Sequence, residues 1–201
     1  MSNQTLEQKP KSEVFLIIKN TLILFAITAI AGLLLSIVNS MTADAIAAQK
    51  IIQRDNALNA VLPDASFEEI KIEKAEEYQR IQGIYQAKDS AGNLAGYAFM
   101  LTNKGYGGTI TLAAGISAGG VISGMDIITH SETPGLGANA DTDKFKEKLK
   151  GKQAETLTVV KGNNDGQNVD ALSGATITSA AVTDAVNEAI AYYNNQLKGG
   201  K

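Results

Sequence analysis

The sequence predicts an α+β fold: one N-terminal transmembrane helix, then a domain whose antiparallel sheet packs against helices. Three observations carry that expectation. Asn20–Ala43 holds no charged residue, and Thr21–Val38 reads TLILFAITAIAGLLLSIV. From Ile81 to Thr129, β-type runs alternate with turns rich in Gly, Asn and Asp, the pattern of a meander. Within Thr178–Leu197, Val182, Val186, Ile190 and Tyr193 recur at helical spacing and give that segment one apolar face.

In chain order, residues 1–20 form a tail carrying Lys9, Lys11 and Lys19 against two acids. The 24 uncharged positions from Asn20 to Ala43, at about 1.5 Å rise each, suffice to cross a hydrocarbon core roughly 30 Å thick. A transmembrane helix is therefore expected over 21–43. Small residues around Ala43–Asp44–Ala45 would suit a signal-cleavage site, but a secretory signal has an apolar region of only about 7–15 residues. Lysines precede the span, and Asp44 is the first charge after it. That asymmetry puts the N-terminus in the cytoplasm and residues 44–201 on the extracytoplasmic side of the membrane.

Ala45–Leu62 has apolar residues at three-to-four spacing and reads as a helical stalk over 44–64, stopped by Pro63–Asp64. Residues 65–201 form the exported domain. Glu68–Tyr78 (EEIKIEKAEEY) is either an edge strand or a short helix. Strands are expected over Ile81–Ala87, Leu94–Thr102, Thr109–Ile116 and Gly120–Thr129, with turns at Asp89–Asn93 and Asn103–Gly108. A short helix over Lys144–Leu149, a strand over Glu155–Val160 and the helix Thr178–Leu197 complete the chain.

Composition narrows the chemistry. The 201 residues include 18 cations and 21 anions, a net charge of −3 that argues against a nucleic-acid partner. There is no Cys, which excludes disulfides, thiolate zinc sites, cysteine-ligated iron–sulfur clusters and cysteine nucleophiles. One His leaves no multi-histidine metal site to expect. Redox chemistry in such a chain requires a bound cofactor. An exported domain also lacks ATP or NADH on its side of the membrane, which suits a tethered electron carrier better than a kinase or a dehydrogenase.

Three Gly-rich segments stand out. Asp170–Ser179 reads DALSGATITS. Its Ser173–Gly174 step brings Thr176 to the start of the last helix, where Thr178 and Ser179 are available as caps and free N–H groups suit a phosphate. His130–Ala138 reads HSETPGLGA and offers a His, a carboxylate, a hydroxyl and two glycines to a planar ligand. Gly105–Gly108 reads GYGG, a hairpin turn whose Tyr106 either stacks on a ligand or packs. Taken singly, each segment also reads as an ordinary turn.

Together and in this order, behind a membrane anchor, they resemble the covalent FMN-binding subunits of bacterial redox-driven ion pumps. The similarity is closer to the G subunit of the Rnf (Rsx) electron-transport complex. The C subunit of the sodium-translocating NADH:quinone oxidoreductase shares the domain but is usually longer. The specific element is D-x-x-[ST]-G-A-T. The resemblance implies one FMN per chain, joined through its phosphate to the Thr176 hydroxyl by a flavin transferase. Asp170, Ser173, Gly174 and Ala175 would be the flanking recognition residues. Two roles stay open for Asp170, holding the divalent ion of the flavin donor or capping the turn. The resemblance further implies that Glu132, Thr133, Gly135 and Leu136 line the flavin ring. His130 is either a flavin neighbour or a structural side chain.

Nothing in the sequence looks like a general acid–base pair or a substrate clamp, so no catalytic residue is expected and the cofactor carries the chemistry. The resemblance implies an electron-relay subunit whose partners are other membrane subunits, the flavin transferase and membrane lipid. The whole complex would couple ferredoxin/NAD electron transfer to ion translocation. Alternatives are a component like the C subunit of the quinone reductase, a tethered flavin reductase acting on an external small molecule, and a non-redox assembly module.

Overall fold

The computed structural model describes residues 11–162 and 166–199, so the first ten residues of the expected tail lie outside it. Helix α1 runs unbroken from Lys11 to Val61. Among the described residues it is the one helix long and apolar enough to cross a membrane. Inside it, the Thr28 and Thr42 hydroxyls donate back to carbonyls one turn earlier, so neither leaves an unpaired donor in an apolar stretch. The helix stops at Pro63–Asp64 as expected, with Asp64 in the left-handed region at φ 59°.

The chain divides after Lys50 into two compact units. The final turns of α1, from Ile51 onward, belong to the second unit. There the chain forms a five-stranded antiparallel meander: β1 (Ser66–Ile70), β2 (Ile81–Lys88), β3 (Leu94–Lys104), β4 (Thr109–Ser117) and β5 (Ile122–Thr129), paired in sequence order. Strand β1 settles the Glu68–Tyr78 alternatives as an edge strand, but one that ends at Ile70 before a run of turns. The expected start of β5 at Gly120 is corrected to Ile122, because Gly120 turns at φ 76° and its N–H donates to Ser117 O at 2.9 Å.

Alternation along the strands sends side chains to two separate cores. Tyr97, Phe99 and Leu101 of β3, with Leu112 and Ala114 of β4, join one core. Ala98 and Ala113 join the other. Helix α3 (Thr176–Tyr192) roofs the first face through Val182, Val186, Ile190 and Tyr192, all at most 2% exposed. The second face is covered by Ala57, Leu58, Val61 and Leu62 from the end of α1. Glycine is required where that helix end crosses β4. A Cβ on Gly115 would stand 2.8 Å from Val61 O, and that carbonyl also accepts the Ser123 hydroxyl at 2.6 Å.

Beyond the sheet, a short 3-10 turn (Gly137–Asp141) leads into α2 (Asp143–Lys146), one residue earlier and shorter than the helix expected over Lys144–Leu149. Lys146 sits between Asp126 and Asp141 at 2.6 and 2.7 Å. Partial burial pulls its pKa down, and the two carboxylates outweigh that, leaving it above the ordinary 10.5. The strand expected over Glu155–Val160 shrinks to β6 (Val159–Val160), paired in parallel with β7 (Val169–Asp170). The reason is a side chain: the Asn187 amide takes both the N–H and the carbonyl of Leu157, at 2.8 and 2.9 Å.

Candidate cofactor site

The D-A-L-S-G-A-T segment turns sharply into α3. Ala175 N–H donates to Leu172 O at 3.0 Å, closing a turn with Gly174 at φ 73°. Only glycine adopts that backbone without strain, and a Cβ there would also press on Leu136 Cδ2 at 3.0 Å. The helix begins at Thr176, two residues before the expected Thr178. The expected caps are therefore corrected: Thr178 and Ser179 lie within the first turn, both fully buried. The capping position is Ala175, with no side-chain hydrogen bond. The first N–H groups of α3 thus remain without a side-chain acceptor.

Both displaced caps have other duties. Ser179 Oγ accepts Leu172 N–H at 2.9 Å and donates to Ala175 O at 3.0 Å, tying the turn to the helix it precedes. Thr178 Oγ1 donates to Glu132 Oε2 at 2.6 Å, across 46 positions of sequence. Glu132 is 6% exposed, and its Oε1 accepts the Gly107 N–H at 2.9 Å. One buried carboxylate therefore joins all three Gly-rich segments. Glycines clear the room for it: a Cβ on Gly105 or Gly137 would collide with its oxygens, and one on Gly107 would collide with Ser131 O.

These segments enclose a cleft of about 810 Å³, within the range of small-molecule sites. Of the residues expected to bind, it gathers Tyr106, Glu132, Thr133, Leu136, Ser173, Gly174, Ala175 and Thr176. Thr176 and Ser173 are exposed. Tyr106, Leu136 and Ile177 present apolar surface at 73%, 44% and 57% exposure, suited to a flat aromatic ring. Three expected residues do not line the cleft. His130 is half-buried, and its Nδ1 accepts the Glu132 N–H at 3.2 Å. Gly135 is in the left-handed region at φ 76°, and its carbonyl accepts the Asn139 amide. Asp170 has a carbonyl that accepts Lys148 Nζ at 3.0 Å, and its Oδ1 is buried without a hydrogen-bond partner.

Sequence reasoning missed Lys161, Gly137, Ile177 and Thr178 as lining residues. Lys161 lies beyond β6, with no motif around it. The signal for Thr178 was present as a hydroxyl near a helix start, but its partner is remote in sequence. The cleft brings together apolar walls, an uncapped helix start bearing a hydroxyl, and one lysine. Among the described residues no group of three or more His, Cys, Asp or Glu is placed to hold a metal ion.

Residues 105–191 match the FMN-binding domain family, and residues 16–61 match the RnfG N-terminal region. The G subunit of the proton-translocating ferredoxin:NAD(+) oxidoreductase complex of Clostridium ljungdahlii is 35% identical, over 92% of this chain and 94% of that protein. The G subunit of the Na(+)-translocating ferredoxin:NAD(+) oxidoreductase complex of Acetobacterium woodii is 39% identical, over 96% of this chain and 100% of that protein. Among solved structures, NqrC of Shewanella oneidensis is similar at 25% identity and a TM-score of 0.53, over 71% of this chain and 73% of that one. The chain belongs to the family of G subunits of ion-translocating oxidoreductase complexes.

Proposed function

We propose that this chain is the flavin-bearing electron relay of an Rnf-type complex, with one FMN joined through its phosphate to Thr176 Oγ1. The observation that carries the reading is the placement of Thr176. It is the exposed first residue of an uncapped helix, at the edge of a cleft lined with apolar surface. In the attachment step the Thr176 hydroxyl oxygen bonds to the phosphorus of a flavin donor bearing a phosphoanhydride. The P–O bond to the donor's leaving group breaks, and the hydroxyl proton passes to water. The resulting phosphodiester would keep one negative charge, which the first N–H groups of α3 would offset; Lys161, lining the same cleft, supports the reading.

A covalent bond retains the flavin on a domain outside the cytoplasm, where unbound FMN would diffuse away. The membrane helix keeps that flavin among partner subunits at high effective concentration. Electrons arrive from one membrane partner and leave to another, in a complex that links ferredoxin and NAD to ion movement. A match to the RnfG N-terminal region over residues 16–61 favours this reading over a component of the quinone reductase. Asp170, Ser173, Gly174 and Ala175 form the segment a flavin transferase would engage.

Two measurements test the proposal. Chain co-expressed with a flavin transferase should give a fluorescent band under ultraviolet light on a denaturing gel, and a dark band rules out covalent flavin. For orientation, protease added outside intact spheroplasts should digest residues 44–201 and spare the lysine-bearing tail. Protection of the whole chain would reverse the topology.

A further inference from the structure

We propose that Glu132 sets the reduction potential of the flavin in this cleft, acting as a fixed negative charge that disfavours the reduced state. The inference rests on the FMN reading above and adds a role that goes beyond lining the ring. Glu132 both lines the cleft and is 6% exposed, so its charge acts through protein rather than through bulk water. Its oxygens accept from Gly107 N–H at 2.9 Å and Thr178 Oγ1–H at 2.6 Å. Both carboxylate oxygens are thus satisfied by donors, one from each neighbouring Gly-rich segment. Among the described residues, no ion pair includes Glu132, so the direct partners of its carboxylate are neutral donors; Lys161 lines the same cleft without pairing to it.

Fixing the three segments together does not by itself call for a charge. A glutamine would span the same gap, accepting from Gly107 and donating to the Thr178 oxygen, without the desolvation penalty of a carboxylate. Glycine at 105 and 137 leaves room for the side chain and glycine at 107 clears Ser131 O, a steric need that a glutamine would share. A buried anion beside a redox group has a defined consequence. Two electrons from a partner's redox centre and one proton from water convert oxidised FMN into a reduced anion. Coulomb repulsion from Glu132 opposes that added charge, and the opposition grows in a low-dielectric setting. The potential is therefore lower with Glu132 than without it.

The test is a spectroelectrochemical titration, at pH 8 in detergent, of full-length chain co-expressed with a flavin transferase. Glu132→Gln should move the two-electron equilibrium at least tenfold toward the reduced flavin, an upward shift of about 30 mV or more. Glu132→Asp, which keeps the charge, should stay closer to wild type than Glu132→Gln. Thr178→Val removes one donor and leaves the anion less neutralised, so its shift should be downward. A purely structural clasp predicts shifts of one sign for both Glu132→Gln and Thr178→Val. An upward shift under tenfold in Glu132→Gln, or any downward one, overturns the inference. If Glu132→Gln does not accumulate folded, Thr178→Val decides: downward supports, unchanged or upward overturns. Gel fluorescence separates the two layers. A dark wild-type band defeats the covalent reading, whereas a fluorescent Glu132→Gln band with an unmoved potential defeats only the role of Glu132.

Discussion

Thr176→Ala is expected to erase covalent flavin completely, with gel fluorescence at background and the apo domain still folded. The substitution removes the one hydroxyl that begins α3 at the cleft edge. It leaves the hydrogen bonds of Ser179 and Thr178 untouched, since neither involves Thr176. As an exposed position at a helix start, it should change stability by no more than about 0.5 kcal/mol. Thr176→Ser keeps the nucleophilic oxygen and should retain the band. Persistent fluorescence in the alanine variant would move the attachment to another hydroxyl, and Ser173 is the nearest alternative in the same turn.

The largest stability effect is expected from Phe99→Ala. Phe99 is fully buried between the sheet and α3, its ring edge-on to Tyr192 at 6.2 Å. Truncation removes apolar contact and leaves a cavity that strands on either side cannot close, at about 3–5 kcal/mol. A domain of this size then melts roughly 10 °C lower or more, read by circular dichroism in detergent. Because α3 carries Thr176 at its start, the same variant should load flavin less completely near its melting temperature. A loss below about 1 kcal/mol would mean that Phe99 is not a keystone between β3 and α3.

Much of this architecture was legible in the sequence because its signals are local. The uncharged run, the β-type runs of β2 to β5 with the turn residues between them, and the apolar stripe of α3 are each signals of neighbouring residues. The three Gly-rich segments were legible as candidates for the same reason. What stayed hidden depends on distance along the chain. Thr178 looks like a cap until Glu132, far earlier in sequence, takes its hydroxyl. Leu157 looks like strand until Asn187 occupies its backbone groups. Lys161 carries no pattern, and only folding brings it to the cleft. For His130 the sequence left a ligand role and a structural one open, and the fold shows its Nδ1 accepting from the loop's own Glu132 N–H, as the Gly135 carbonyl accepts from Asn139.

The end of α1 has a consequence for how the domain survives release from the membrane. Ala57, Leu58, Val61 and Leu62 supply the cover for Tyr85, Ala98 and Ala113 on one side of the sheet. A protease that cuts between residues 44 and 50 would shed a domain with both faces protected. A cut just after Leu62 would discard that lid and lay open an apolar sheet face, which drives self-association. Shedding and aggregation are thus separated by only a few helical turns.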